Sequence, residues 1–209
     1  MQDLFTSGGE LKRLDIPDAE IYHQVCFPLN SPDAVVLRQL IAAVPWRAEE
    51  IVVWGKRHPQ PRLVAWFGDS GSNYTYSGIT LAPLPWSPLI ADIRSRVEIA
   101  TGARFNSVLL NYYRDQRDSM GFHSDDEPEL GRNPIIASVS LGESRTLVLK
   151  HKRLKRAKAV RIDLASGSLL LMKGETQRNW KHGIEKLDHP CGPRVNLTFR
   201  RILKSVSDH

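Results

Sequence analysis

The sequence predicts a mainly β, α+β domain: a double-sheet or barrel-like β core with helices packed on one side. Three observations carry this. Two early segments have helix-capping signals, short alternating runs crowd the chain from residue 103 onward, and Gly, Pro, Asp and Asn clusters separate those runs. A length of 209 residues suits one domain, and 41% hydrophobic with 25% charged residues is the balance of a chain that folds around a core.

Residues 1–30 are polar and weakly patterned, with Gly8, Gly9, Pro17 and Pro28, and are expected as an N-terminal arm; residues 31–209 form the domain. Ser31-Pro32-Asp33 offers a capping hydroxyl and an N1 proline ahead of Val35, Val36, Leu37, Leu40 and Ile41, with Pro45 as the stop. Ile51–Trp54 and Val64–Phe67 flank the basic, Pro-rich stretch Gly55–Arg62, which predicts a β-hairpin with an exposed tip. Ser87-Pro88 repeats the capping device before Ile90, Ile93 and Val97, and Gly102 stands where a C-terminal cap belongs. Strands are then expected at Phe105–Tyr113, Ile135–Leu141, Thr146–His151, Ala159–Leu164 and Val195–Ile202.

Charge and cysteine usage narrow the function classes. Lys and Arg number 29 against 23 Asp and Glu, a net charge of +6, which suits a polyanionic partner, nucleic acid first. Arg145, Lys150, Lys152, Arg153, Lys155, Arg156, Lys158 and Arg161 form a basic cluster expected to meet phosphates. Two cysteines, Cys26 and Cys191, cannot build a disulfide framework or a CxxC zinc site. No apolar run approaches the ~20 residues of a membrane helix, and Met1–Glu10 shows no basic-then-apolar leader pattern. The expected setting is intracellular, cytoplasmic in a bacterium or nuclear in a eukaryote, with no membrane partner and a monomer as the default.

The chemistry-bearing residues fall into three groups. His123-Ser124-Asp125 sets an imidazole and a carboxylate two residues apart, so that on a strand or its flanking loop both reach one ion, and His182 supplies a second imidazole downstream. Two histidines and one carboxylate on one face of a metal are the ligand set of non-haem Fe(II) oxygenases; taken alone, such a pattern is as readily two surface histidines and an unrelated aspartate. In Arg194–Arg200 alternation puts Val195, Leu197 and Phe199 on one face and Arg194, Asn196, Thr198 and Arg200 on the other. The commonest meaning is a half-buried strand with its polar face in water. The alternative is a polar face that grips a dicarboxylate with arginine forks, in which case two arginines ~20 Å apart along the strand must converge. Asn111 and Tyr113 are a further same-face polar pair that can complete such a pocket.

Asn111-x-Tyr113, His123-Ser124-Asp125, His182 and Arg194-x-Asn196-x-Thr198-x-Arg200, in this order, resemble the AlkB family of Fe(II)/2-oxoglutarate dioxygenases. Val53–Lys56, Tyr74–Gly78, Ile136–Gly142 and Pro193–Arg200 are most similar to its eukaryotic duplex-DNA-acting member and bacterial relatives, over about residues 50–202. The resemblance implies a double-stranded β-helix (jelly roll), with a nucleotide-recognition region at about 50–80 that includes a hairpin, and a catalytic core at about 103–203. It implies that His123, Asp125 and His182 hold Fe(II), and that Asn111, Tyr113, Arg194, Asn196, Thr198 and Arg200 bind 2-oxoglutarate. It further implies a DNA-repair activity: O2 and 2-oxoglutarate are consumed, N-alkylated bases such as 1-methyladenine or 3-methylcytosine are dealkylated, and succinate, CO2 and formaldehyde are released.

On the substrate side the resemblance places Tyr74, Tyr76 and Ser77 around a flipped base, although both tyrosines are also ordinary strand-formers. It places Asp126 and Glu127 near the base's exocyclic group, Trp54 as an aromatic wedge, and Gly55, Lys56 and Arg62 on the same finger. Where the duplex-acting member carries a basic run, this chain has Glu185-Lys186-Leu187-Asp188-His189. Two rival readings follow: the same chemistry on RNA or single strands, and a non-catalytic nucleic-acid-binding module. The second is disfavoured because all three metal positions and both arginines are present.

Overall fold

In a computed structural model, residues 9–53, 56–72, 74–76, 79–154 and 157–203 are described. In chain order they form β1 (Lys12–Arg13), β2 (Glu20–Gln24), α1 (Asp33–Ala43), β3 (Glu50–Val53), β4 (Lys56–Pro59), β5 (Leu63–Gly68), β6 (Tyr74–Tyr76), β7 (Ile79–Leu81) and α2 (Pro88–Thr101). There follow β8 (Ser107–Tyr113), β9 (Met120–His123), β10 (Ile136–Gly142), β11 (Arg145–His151), β12 (Val160–Leu164), β13 (Ser168–Lys173), α3 (Thr176–Asn179), β14 (Trp180–Ile184) and β15 (Arg194–Arg200). A seven-stranded sheet runs β1-β2-β13-β10-β15-β8-β5 and a four-stranded sheet runs β12-β11-β14-β9, all antiparallel.

Period-two alternation explains how the larger sheet is covered. Val108, Leu110, Val139, Leu141, Leu169, Leu171, Val195, Leu197 and Phe199 share one buried cluster with Val36 and Leu40 of α1 and Ile90, Ile93 and Val97 of α2. The opposite face sends Leu109, Ile136, Leu170 and Met172 into a second cluster with Leu147, Leu149, Ile162 and Ile184 of the smaller sheet. The larger sheet is thus covered on both sides: helices on one, the smaller sheet on the other. This is the double-sheet architecture expected, and it buries every residue of β15, polar ones included.

The caps divide. At α2 the Ser87 hydroxyl accepts the Ile90 N–H at 3.4 Å, Pro88 opens the helix, and Gly102 closes it in the left-handed region at φ 66°. At α1 the expected Ser31 cap is replaced: Pro32 is the cap, with no side-chain bond, and its carbonyl accepts from Val35 and Val36. The segment expected as an arm is in part sheet, because β2 completes the exposed edge of β13 in register from Leu169↔Gln24 to Lys173↔Glu20.

The hairpin expected from 51–54 and 64–67 forms differently. β3 pairs with β4, inside the supposed tip, while β5 leaves to pair with β8 from Leu63↔Tyr112 to Gly68↔Ser107. The reason is burial: Val64, Ala65, Trp66 and Phe67 are all core residues, and only the central sheet covers both their faces. Trp54 and Gly55 lie outside the described residues. Among the described residues no helix is long and apolar enough to cross a membrane.

Candidate active site

β9 and β14 are neighbours in the smaller sheet, and their register sets His123 opposite His182 across a bulge. The two rings lie 4.5 Å apart, tilted by 59°. His123 Nδ1 is 2.9 Å from the Gly121 carbonyl, a bond that places the proton on Nδ1 and leaves Nε2 as a bare donor atom. Asp125 sits two residues on, at the start of a loop, and is 2% exposed. Its Oδ1 is 3.8 Å from His123 Nε2 and its Oδ2 is 3.8 Å from His182 Nε2. The three ligand atoms all lie within 4.8 Å of one another, about twice the ~2.1 Å bond of a first-row metal to nitrogen or oxygen.

Asp125 is held at two points: Gln177 Oε1 of α3 accepts its backbone N–H at 3.0 Å, and Arg200 Nη2 donates to its Oδ1 at 2.6 Å. Burial alone would push the Asp125 carboxyl up, but Arg200 and then the two histidines outweigh it and hold it down to about 2. His182 is driven the other way, lowered to about 3 by burial and then by His123, against the opposing pull of Asp125. All of this keeps His182 neutral and Asp125 ionised, the protonation states that bind a cation.

Acid is therefore expected to destabilise the metal-free chain. Below the ordinary histidine value of 6.5 the unfolded chain takes up a proton that folded His182 refuses until about pH 3, so stability is complete above 6.5 and falls with pH beneath it. Asp125 acts in the same direction below 3.8, where the unfolded carboxyl protonates first. Denaturation midpoints with a chelator at pH 7.5 and pH 5 check this; equal midpoints contradict it.

Tyr113, His123, Asp125, His182, Arg194, Asn196, Thr198 and Arg200 all line one cavity, together with Ser138 and a wall of Met120, Leu147, Leu164, Leu170, Met172 and Ile184. The two ends of β15 do converge on one space. Asn196 Nδ2 donates to Ser138 Oγ at 2.6 Å, and Thr198 Oγ1 donates to Asn196 Oδ1 at 2.8 Å. Asn111 is buried beside Asn196 in register but does not line the cavity, and its Oδ1 accepts Arg62 Nε at 2.7 Å. Arg62 is 3% exposed and also donates to the Ser119 carbonyl, so it is not on an exposed finger.

Arg145 is a second correction. Expected among phosphate-binding cations, it is 2% exposed, and its Nη2 donates to the Asp118 and Glu185 carbonyls at 2.9 and 2.6 Å. Lys150 and Arg161 share Glu185 as a counter-charge, whereas Arg153 and Lys158 are exposed. Lys155 and Arg156 lie outside the described residues. Asp126 follows the triad at the surface with Lys152 Nζ at 2.9 Å, and Glu127 is half-buried ahead of the short 3₁₀ turn Pro128–Leu130. Of the other base-side residues, Tyr74 and Tyr76 lie on β6, paired with β7, Lys56 lies on β4, and Ser77 is outside the described residues. Gln177 carries no charge or motif signal, Ser138 and Ser140 lie in the similar stretch Ile136–Gly142 without a role of their own, and sequence reasoning assigned none of the three to the site.

Residues 20–200 match the model of the 2OG-Fe(II) oxygenase superfamily. The chain is 44% identical over 175 residues to "alpha-ketoglutarate-dependent dioxygenase alkB homolog 3" of Mus musculus, covering 80% of this chain and 60% of that protein. It is 46% identical over 160 residues to "DNA oxidative demethylase ALKBH2" of the same species, covering 74% of this chain and 67% of the relative. The chain belongs to the AlkB family of this superfamily. It spans about three fifths of the length of most curated relatives it matches. A solved structure, "The structure of OsALKBH1", superposes with a TM-score of 0.60 at 16% identity, over 92% of this chain and 100% of that one, which supports the jelly-roll fold.

Family membership implies Fe(II), 2-oxoglutarate and O2 as cofactors, and the site fits them. Two imidazoles and one carboxylate within a few ångströms are the donor set for Fe(II). For the dicarboxylate, the telling residue is Arg194. It is 1% exposed, bonded to Ser140 Oγ at 3.0 Å through Nη2, while Nε and Nη1 meet no hydrogen-bond partner among the described residues. A buried guanidinium with vacant donors and no acid within ion-pair distance among those residues asks for an external carboxylate.

Proposed function

We propose that the chain is an Fe(II)- and 2-oxoglutarate-dependent dioxygenase that removes alkyl groups from N-alkylated nucleic-acid bases, with DNA as the substrate polymer. The observation that carries this is one cavity holding a His-Asp-His cluster, with Asp125 and His182 buried and His123 half-buried, at one end and an unneutralised arginine at the other. The names of the relatives and the net charge of +6 support a nucleic-acid substrate.

His123, Asp125 and His182 would hold the iron, which supplies oxidation of the N-alkyl carbon coupled to decarboxylation of the co-substrate, leaving succinate, CO2, formaldehyde and the repaired base. The chain's own residues bind and orient. Gln177 and Arg200 fix Asp125, and the Gly121 carbonyl fixes the His123 ring. Arg194 takes the carboxylate farther from the metal, because Arg200 is the end of β15 that touches Asp125. Met120, Leu147, Leu164, Leu170 and Ile184 keep water from the reacting centre. Tyr74, Tyr76 and Ser77 would receive the base, with Asp126 and Glu127 at its edge and Tyr113, Asn196 and Thr198 around the co-substrate, while Asn111, bonded to Arg62, stands outside the cavity lining.

The test is an anaerobically reconstituted Fe(II) assay on matched oligonucleotides carrying 1-methyladenine in single-stranded DNA, duplex DNA and RNA, with and without 2-oxoglutarate. Co-substrate-dependent loss of the methyl group is expected on DNA. Dominant turnover of RNA moves the substrate to that polymer, and no turnover on any strand with 2-oxoglutarate still consumed moves it elsewhere. In the same assay Trp54→Ala is expected to cut duplex repair roughly tenfold while single-strand repair stays within about twofold, because only a duplex requires unstacking. Equal loss on both substrates would make Trp54 a packing residue.

A further inference from the structure

Arg145 is not needed to explain any part of the site described above, yet its setting is unusual. It opens β11, and alternation turns it inward with Leu147 and Leu149. Its guanidinium bonds to backbone carbonyls alone, those of Asp118 and Glu185 with that of Asp115 at 3.5 Å, and its Nε meets no hydrogen-bond partner among the described residues. No carboxylate lies within ion-pair distance of it among those residues: the Asp118 side chain is on Arg114, and Glu143, two residues before Arg145, accepts the Gly192 backbone N–H instead.

Tyr113 connects this cation to the cavity. The Arg145 guanidinium carbon lies 5.6 Å from the Tyr113 ring centroid, and that of Arg194 lies 5.0 Å from the same centroid. Two buried cations therefore share one aromatic ring, and the described residues supply neither with an acid. Their mutual repulsion is part of why Arg194 releases its proton more readily than an ordinary arginine, after burial itself. Charge of one sign in a low-dielectric wall is costly until an anion arrives, and the anion then gains from both cations.

We propose that Arg145 is a specificity-determining residue that acts through its charge: set in the wall beside Tyr113, it makes this end of the cavity select an acid with a second carboxylate over a one-carboxylate 2-oxo acid. This rests on the co-substrate reading above. A purely structural Arg145, tying the 115–118 loop to Glu185, predicts equal losses for both kinds of acid.

The experiment is calorimetric binding of 2-oxoglutarate and of 2-oxobutyrate, which lacks the second carboxylate, to the full chain loaded with redox-silent Mn(II). Arg145→Gln is expected to weaken 2-oxoglutarate roughly tenfold and to leave 2-oxobutyrate within about twofold, whereas Arg145→Lys keeps the wild-type preference within about threefold. Equal weakening of both acids, or no change in their ratio, overturns the proposal. Circular dichroism monitors folding; if Arg145→Gln does not fold, Arg145→Lys decides, because a tenfold fall in preference with the charge retained refutes a mechanism based on charge. Wild-type protein that binds neither acid would instead refute the co-substrate reading.

Discussion

Replacing Asp125 with alanine is expected to abolish turnover and to destabilise the metal-free fold by about 3 kcal/mol or more. The first effect follows from the ligand count. Two imidazoles remain, and the one carboxylate of the cluster is gone. The second follows from Arg200, whose side chain is 3% exposed and lies 2.6 Å from Asp125 Oδ1. Breaking a buried ion pair from one side takes the close counter-charge from a desolvated ion, whereas removing both charges together is far cheaper. The double variant Asp125→Ala with Arg200→Met is therefore expected to recover most of the lost stability and none of the activity. Urea midpoints with a chelator and Mn(II) binding separate the two effects. Stability within about 1 kcal/mol of wild type in the single variant would show that the pair is not balanced in this way.

The same pair shows what sequence can carry. Alternation in 194–200 identified which residues share a face, and the polar set does line the cavity. Periodicity cannot say which face is covered: with water on one side the polar face would look outward. Only α1 and α2, packed on Val195, Leu197 and Phe199, turn that face toward the other sheet. The His-x-Asp pair and His182 were legible as residue types, but their meeting depends on the β9–β14 register across a bulge.

Two misreadings and one omission have the same root. Gly55–Arg62 looked like a hairpin tip because local pattern cannot choose a strand's partner, and β5 pairs far downstream with β8, from Leu63↔Tyr112 to Gly68↔Ser107. β13 reads Ser-Leu-Leu-Leu-Met-Lys, an apolar run with no alternation because both of its faces are covered. Arg145 was grouped with the cations that follow it, although it has the parity of Leu147 and Leu149 while Lys150 has the outward parity. In a charge run, strand parity separates the buried member from the solvated ones.

Arg194→Met is the variant expected to trade function for stability. Without ligand, wild-type Arg194 is buried with vacant donors and another buried cation near the same ring, so its charge costs the fold free energy. Methionine fills a similar volume without charge and gives up the hydrogen bond to Ser140, a loss of about 1 kcal/mol, together with the interaction of the guanidinium with Tyr113. The ligand-free variant is therefore expected to match or exceed wild-type stability, by up to about 2 kcal/mol. Its affinity for 2-oxoglutarate is expected to fall at least ~100-fold, because a desolvated charge pair is lost. Saturating 2-oxoglutarate should then reverse the order of the two proteins, since ligand at 100 times its Kd adds about 2.7 kcal/mol to wild type and almost nothing to the variant. Thermal unfolding of both proteins, with and without 2-oxoglutarate, reads the crossing directly. A variant that is less stable in both conditions would mean that Arg194 is held by contacts within the fold, and that the carboxylate acceptor lies elsewhere in the cavity.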